Sequence, residues 1–159
     1  MEYDAASLMT HKLYTIGPDE TVADAARMLA SNDISAVPVC DRTGTLVGLI
    51  SEGDLLKPFA ESHELRRAWW LSLLAEGNDL APVFTDYVRR DRRLVRDLMT
   101  SPVITAVEST TAPELSELLT THRIKRVPIM RDGRMVGIVS RADIVRAMSR
   151  TPATASDWA

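Results

Sequence analysis

Two stretches of this chain carry a hydroxyl and a carboxylate at the same spacing. They read Gly48-x-x-Ser51-x-x-Asp54 and Gly137-x-x-Ser140-x-x-Asp143. At the start of a helix, free backbone N–H groups and a partial positive charge stabilise a phosphate, and a serine there can add its hydroxyl. A carboxylate one turn later can accept the paired hydroxyls of a ribose. The doubled pattern therefore indicates binding of a nucleotide-like anion.

The same spacing also fits an ordinary helix cap, in which the hydroxyl and carboxylate satisfy backbone N–H groups. Thr21-x-x-Asp24 has this spacing as well and is interpreted as a cap, so spacing alone leaves both interpretations open. Two features favour binding. Gly48 and Gly137 lie inside the preceding strands, where a missing side chain lets another backbone or a ligand approach. Aspartate is also a shorter capping residue than the usual glutamate or glutamine.

The residues around the two patterns repeat too, with an offset of 90 residues that falls to 89 before Gly133. The matching pairs are Leu8-Met9-Thr10 with Leu98-Met99-Thr100, Thr15 with Thr105, Ile34 with Ile124, and Val37-Pro38 with Val127-Pro128. A repeat of about 50 residues is marginally stable alone. We therefore expect the two repeats to share a core.

Each repeat is predicted to run strand, helix, strand, strand, helix. In the first, residues 13–16 form a strand, Thr21 caps a helix, and the runs 36–40 and 46–50 form a hairpin around Asp41-Arg42-Thr43-Gly44. In the second, Thr111 caps the helix, and the runs 127–130 and 135–139 flank the turn Arg131-Asp132-Gly133. A final helix follows Ser51 and Ser140.

Composition limits the function. The net charge is −3, but residues 1–80 hold 6 basic and 13 acidic residues (net −7) and residues 81–159 hold 13 and 9 (net +4). An anion is therefore more favourable in the second half. A pI near 5.6 argues against nucleic acid as a partner. No apolar run reaches the length of a membrane span and no signal peptide is evident, so we expect a cytoplasmic protein. Cys40 is interpreted as a small buried residue.

The segment between the repeats carries large apolar residues that a flexible linker would not have. Trp69 and Trp70 lie in a predicted helix, and a second helix is predicted after Asn78-Asp79. These aromatics either cap the shared core or form a dimer interface or partner groove. The run Arg89-Arg90-Asp91-Arg92-Arg93 is interpreted as a solvated helix face. The tail after Arg150 is expected to fray.

These motifs together resemble tandem cystathionine beta-synthase (CBS) domains. The likeness rests on the Met-Thr opening, the Ile-x-x-Val-Pro strand entry and the Gly-h-h-Ser-x-x-Asp ending of each repeat. The Trp-Trp insert is similar to that of stand-alone bacterial CBS pairs of the signal-transduction type. The resemblance implies an α/β (α+β) fold of two β-α-β-β-α repeats packed as a pseudo-twofold pair. The corresponding ranges are 8–59 for repeat 1, 60–97 for a helical insert, 98–148 for repeat 2 and 149–159 for the tail.

The resemblance also implies two clefts that take adenine nucleotides or other adenosyl compounds. In the family the aspartate holds the ribose, the hydroxyl helps to hold phosphate, and a basic residue before the proline-containing strand completes the phosphate site. The first cleft would combine these residues: Ser140, Asp143, Lys125, Arg126, Thr10, Tyr14, Ile34, Ser35 and Ala36. The second, weaker cleft would combine Ser51, Asp54, Thr100, Ile104 and Ile124 with the backbone of Lys125 and Arg126. In the second cleft Ser35-Ala36 replaces Lys125-Arg126, so no cation is expected there.

We therefore expect a non-catalytic regulatory module that binds AMP, ADP or ATP and signals to an effector protein by a conformational change. It is not expected to be an enzyme or to require a cofactor, because the sequence has no metal-binding spacing, nucleophile elbow or phosphate-binding loop. The resemblance implies a homodimer. The alternatives are a ligand-independent dimerisation or interaction scaffold, or a binder of NAD or S-adenosylmethionine.

Overall fold

The structure is a computed structural model that describes residues 3–61, 63, 67 and 92–150. The chain divides into unit 1, Met1–Leu13 with Ile104–Ala159, and unit 2, Tyr14–Val103. The described helices and strands are, in chain order, α1 Ala5–Leu8, α2 Val22–Asn32, β1 Ala36–Cys40, β2 Leu46–Ser51, α3 Glu52–Glu61, α4 Val95–Leu98, β3 Ala106–Val107, α5 Ala112–Thr121, β4 Arg126–Arg131, β5 Arg134–Ser140 and α6 Arg141–Arg150. The predicted insert helices, Arg89–Asp91 and the tail lie outside the described residues.

Unit 2 is built on the antiparallel pair β1 and β2. Two isolated bridges extend it: Ile16 pairs in parallel with Val39 on one side, and Thr100 pairs antiparallel with Leu49 on the other. The core residues are Ile16, Ala25, Leu29, Val37, Val39, Ile50 and Val95. Helix α2 contributes Ala25 and Leu29 because its apolar residues recur at helical spacing and so share one face.

Unit 1 repeats this arrangement with a longer sheet. Strand β3 pairs in parallel with β4, and β4 pairs antiparallel with β5. Thr10 forms an antiparallel bridge with Ile138 in β5. The core residues are Ala5, Met9, Ala106, Leu115, Leu119, Val127, Ile129, Val139 and Ile144. The predicted hairpin is confirmed: Asp132 and Gly133, at φ 50° and 75°, form the two-residue turn that Asp-Gly favours.

The strand predicted at residues 13–16 is shorter than expected, since only Ile16 pairs. The N–H of Ile16 donates to Pro38 O at 3.1 Å, and the N–H of Cys40 donates to Ile16 O at 2.9 Å. A parallel ladder continued towards residue 14 would need the N–H of residue 38 as its next donor. Proline has none, so the pairing stops at Ile16. Pro128 has the same position next to β3, which begins only at Ala106.

The Leu-Met-Thr openings do not stay with the hairpins of their own sequence repeats. Leu8-Met9-Thr10 lies in unit 1, where Thr10 bridges to β5, and Leu98-Met99-Thr100 lies in unit 2, where Thr100 bridges to β2. Each unit therefore contains the opening segment of one sequence repeat and the hairpin of the other.

Helix starts in both units are closed by side chains, as predicted for Thr21 and Thr111. The Thr21 hydroxyl accepts from the N–H of Asp24, while Asp24 accepts from the Thr21 N–H and hydroxyl at 3.1 and 2.7 Å. Thr111 and Glu114 form the same box. Hydrogen bonds from the Thr21 hydroxyl and N–H hold the pKa of Asp24 below its ordinary value of 3.8.

The Asp24 cap should make stability depend on acid pH. A carboxylate whose folded pKa is lowered stabilises the fold above its unfolded pKa and loses that contribution as pH falls through the folded pKa. We expect wild type to exceed Asp24→Asn in urea midpoint at pH 7, and the difference to shrink below about pH 4. A difference that stays constant from pH 7 to pH 3 would contradict this expectation.

Candidate functional site

Both Ser-x-x-Asp patterns form capping boxes at the starts of α3 and α6. Asp143 Oδ2 accepts from the N–H and hydroxyl of Ser140 at 2.8 and 2.7 Å, and the N–H of Asp143 donates to Ser140 Oγ at 3.3 Å. The corresponding distances for Ser51 and Asp54 are 2.9, 3.0 and 3.2 Å. The capping interpretation is therefore confirmed, and a ligand role for these residues is additional to it.

The second carboxylate oxygen distinguishes the two sites. Asp143 Oδ1 accepts from Arg146 Nη1 at 3.0 Å, and the Asp143 side chain is 13% exposed. Asp54 Oδ1 instead lies 3.5 Å from the hydroxyl of Thr100. A carboxylate oxygen has two lone-pair sites, so Oδ1 of Asp143 can accept a further hydrogen bond beside that of Arg146. The capped aspartates thus retain acceptor capacity for a ligand hydroxyl.

The strand glycines have a structural explanation. A Cβ on Gly48 would lie 2.5 Å from Sδ of Met99 and 3.2 Å from the carbonyl oxygen of Thr100. A Cβ on Gly137 would overlap Sδ of Met9 and lie 2.8 Å from its Cβ. The sequence left open whether another backbone segment or a ligand occupies the space beside each glycine. In the structure, a neighbouring segment of the chain occupies it. The glycines therefore do not themselves support ligand binding.

Unit 1 brings five predicted site residues to one end of its sheet. Arg126 pairs with Ser140 across β4 and β5, and Thr10 pairs with Ile138, two residues before Ser140. Lys125 precedes Arg126, and its carbonyl accepts from the N–H of Arg141 at 3.0 Å. The end of β5 and the first turn of α6 therefore gather Thr10, Lys125, Arg126, Ser140 and Asp143.

Unit 2 gathers the equivalent residues at the end of β2. Ala36 pairs with Ser51, Thr100 pairs with Leu49, and the N–H of Glu52 donates to Ser35 O at 3.0 Å. Tyr14 and Ile34 are partly buried against the core of this unit. Ile104 and Ile124 belong to unit 1, where Ile124 packs on its core. Each predicted cleft draws residues from both units, and its assembly stays a prediction.

A pocket of about 570 Å³ lies beside Asp54 in unit 2. Its lining residues are Asp54, Lys57, Pro58, Glu61, Arg93, Asp97, Leu98, Met99 and Thr100. It contains two cations, Lys57 and Arg93, although the sequence predicted no cation for this site. Lys57 follows Asp54 by three residues in a predicted helix, and this spacing could have indicated that its cation lies beside Asp54.

Two arginines of α6 were also missed by the sequence analysis. Arg146 pairs with Asp143, and Arg141 donates from Nε to Ile124 O at 2.9 Å and from Nη2 to Leu119 O at 3.4 Å. The i, i+3 spacing from Asp143 predicts an ion pair with Arg146. The contacts of Arg141 with α5 and the following loop depend on tertiary structure.

Other chemistry is limited in the part of the chain that the structure describes. No group of three His, Cys, Asp or Glu residues placed to hold a metal occurs there. Cys40 is partly exposed rather than buried, and desolvation, followed by the charge of Asp41, raises the pKa of its thiol. A raised pKa makes the thiolate scarcer and the residue less reactive. The described helices include none long and apolar enough to cross a membrane.

A family model described as "CBS domain" matches residues 5–61 and 95–150. The uncharacterized protein MJ1426 of Methanocaldococcus jannaschii is 33% identical over 138 residues, covering 82% of each chain. CBSX2 of Arabidopsis thaliana is 28% identical over 152 residues, which cover 91% of this chain and 63% of CBSX2.

Solved structures share the fold. A crystal structure of CBSX2 in complex with AMP matches with a TM-score of 0.66 and 29% identity, covering 92% of this chain and 96% of that chain. The CBS domain pair of protein MJ0100, solved with 5′-methylthioadenosine and S-adenosyl-L-methionine, matches with a TM-score of 0.71 and 23% identity. That match covers 94% of this chain and 98% of the MJ0100 chain, and it concerns the fold alone.

Proposed function

This chain belongs to the CBS domain family, and from this premise we propose that it is a regulatory module that binds an adenine nucleotide at the start of α6. The ligand class is AMP, ADP or ATP, and the module signals to an effector protein by a conformational change. The AMP complex of CBSX2 supports the choice of ligand. Only a ligand with different affinities for two conformations can shift them.

The observation that carries the proposal is the different charge at the two equivalent helix starts. In unit 1, Lys125 directly precedes β4, Arg126 begins β4 and pairs with Ser140 at the end of β5, and α6 begins with Arg141. Ser35, Ala36 and Glu52 occupy these positions in unit 2. Cations and the N-terminus of a helix both stabilise a bound phosphate group. The start of α6 is therefore the better phosphate site, with Asp143 as acceptor for the ribose hydroxyls.

We propose that the pocket beside Asp54 binds adenine nucleotides more weakly, or binds a different adenosyl compound. Its cations Lys57 and Arg93 are offset by the carboxylates of Asp54, Glu61 and Asp97. A pocket with such mixed charge favours a less charged adenosyl compound over a nucleoside triphosphate, because the carboxylates repel the phosphate groups. Binding there would be secondary to binding at the start of α6.

A ligand-independent interaction scaffold, including a homodimer, is the second candidate function. Large apolar side chains are exposed on two helices that follow the repeated pattern: Leu56 at 53% on α3, and Val145 and Met148 at 64% and 69% on α6. Exposed apolar area on a helix face favours contact with another protein. This candidate requires no nucleotide, which makes the two functions separable.

Nucleotide binding is tested by thermal shift and calorimetry with AMP, ADP, ATP, NAD, S-adenosylmethionine and adenosine. We expect AMP, ADP or ATP to bind more tightly than adenosine. At 100 times its dissociation constant, the ligand should stabilise the protein by about 2.7 kcal/mol. No shift with any compound would overturn the proposal and favour the scaffold. Turnover of a nucleotide by the purified protein would contradict the non-catalytic role.

A further inference from the structure

Arg141 connects three parts of unit 1 around the proposed site. Its backbone N–H donates to Lys125 O at 3.0 Å, its Nε donates to Ile124 O at 2.9 Å, and its Nη2 donates to Leu119 O at 3.4 Å. Arg141 is the first residue of α6 and directly follows Ser140. The residue therefore ties the end of α5 and the segment entering β4 to the helix start that carries Asp143.

These contacts add to the capping of a helix end. The last carbonyls of a helix lack partners within the helix and carry partial negative charge. Helix α5 ends at Thr121 in a Schellman motif: Arg123 has a left-handed φ of 53°, and the N–H groups of Arg123 and Ile124 donate to Thr120 O and Leu119 O at 3.2 and 3.1 Å. The guanidinium of Arg141 supplies donors and positive charge to this end. A purely structural role as a helix cap is therefore the alternative to any role in binding.

The equivalent position in unit 2 shows what depends on the guanidinium. Glu52 occupies it and keeps the backbone bond, donating its N–H to Ser35 O at 3.0 Å. A carboxylate has no hydrogen to donate to a carbonyl oxygen, so it cannot reproduce the side-chain contacts of Arg141. The segment held in unit 2 is Ser35-Ala36, which carries no charge, whereas the one held in unit 1 is Lys125-Arg126. The side-chain contacts of Arg141 thus occur in the unit whose segment is cationic, and we call these contacts the guanidinium clamp.

We infer that Arg141 is a positioning residue that holds the Lys125-Arg126 segment in place for the phosphate of the bound nucleotide. This inference rests on the proposed function and extends it to a residue that does not touch the ligand. A charged segment with free backbone torsions would have to be ordered on binding, at a cost in conformational entropy. The side-chain contacts of Arg141 add to the backbone bonds that already hold this segment, and so order it further before binding. The guanidinium clamp therefore affects ligands with a phosphate and leaves adenosine binding unchanged.

The experiment combines ligand affinity with hydrogen exchange in the full chain. Arg141→Met keeps an unbranched side chain similar to the aliphatic stem of arginine and removes the donors, and Arg141→Lys keeps the charge and one donor group. We expect Arg141→Met to reduce amide protection across residues 124–127 without ligand and to weaken AMP binding about tenfold. Adenosine affinity should not change, and Arg141→Lys should restore part of both effects. Arg134→Met removes the same charge from an exposed position of β5 and should change neither.

Each outcome decides the role of Arg141. Weaker AMP binding with unchanged protection would mean that Arg141 contacts phosphate directly, which overturns the positioning role. Lost protection with unchanged AMP affinity would leave only a helix cap. If wild type binds AMP and Arg141→Met changes neither measurement, the inference fails and the proposed function stands. If wild type binds no nucleotide, the proposed function fails and the inference with it.

Discussion

Replacing Asp143 by asparagine is expected to lower the affinity for AMP by about 10- to 150-fold, since hydrogen bonds to a charged group contribute about 1.5–3 kcal/mol. The asparagine oxygen can still accept from the N–H of Ser140, so the cap of α6 should persist. What is lost is the carboxylate charge that strengthens hydrogen bonds from the ribose hydroxyls. Isothermal titration of wild type and variant with AMP measures the effect.

Asp24→Asn is a matched control for this substitution. Asp24 caps α2 through Thr21 and pairs with Arg27 at 3.1 Å, much as Asp143 caps α6 through Ser140 and pairs with Arg146 at 3.0 Å. The two variants therefore lose the same carboxylate charge and ion pair, and each keeps an amide oxygen that can accept from the N–H of its cap. We expect Asp24→Asn to bind AMP as wild type does. Equal affinities of the Asp143 variant and wild type would contradict the proposed site, as would equal losses in both variants.

Gly137→Ala is expected to destabilise the fold by about 1–3 kcal/mol, because an added methyl group overpacks a filled site. The new Cβ would overlap Met9, which is buried in the core of unit 1. Gly48→Ala should act similarly through Met99, with the carbonyl of Thr100 also only 3.2 Å away. Urea unfolding, compared through midpoints and slopes, measures both effects.

Two variants show whether crowding is the cause. Among the described residues, a Cβ on Gly53 would meet Ser51 Oγ at 3.6 Å, an ordinary contact, so Gly53→Ala should be neutral or stabilise α3 by up to about 1 kcal/mol. The double variant Met9→Ala with Gly137→Ala should be more stable than the sum of the single changes predicts, because the smaller side chain makes room for the new methyl. Additive losses, or an unchanged midpoint for Gly137→Ala, would contradict the packing explanation.

The Gly137 contact also affects the proposed site. Met9 precedes Thr10, whose N–H donates to Ile138 O at 2.9 Å and whose carbonyl accepts from the Ile138 N–H at 3.2 Å. Displacement of Met9 by a new Cβ would therefore shift Thr10 relative to Ser140. The opening segment and the strand glycine form one packing unit that holds Thr10 in position.

Features with short-range causes were predictable from the sequence. Thr21 and Asp24 close the start of α2 because a hydroxyl and a carboxylate three residues apart reach each other's N–H groups. Asp132-Gly133 forms the turn because these residues tolerate positive φ. The family resemblance supplied the repeat fold, and the CBS domain matches agree with it.

The sequence by itself determined the two repeats, their capped helices and their hairpins, since each depends on residues a few positions apart. Only the tertiary structure decided that Leu8-Met9-Thr10 lies on β5, that Gly137 accommodates Met9, and that Arg141 reaches the end of α5. It also placed Lys57 and Arg93 beside Asp54. These contacts join segments far apart in the chain. Their partners are selected by packing and hydrogen bonding in the folded units, which local spacing does not encode.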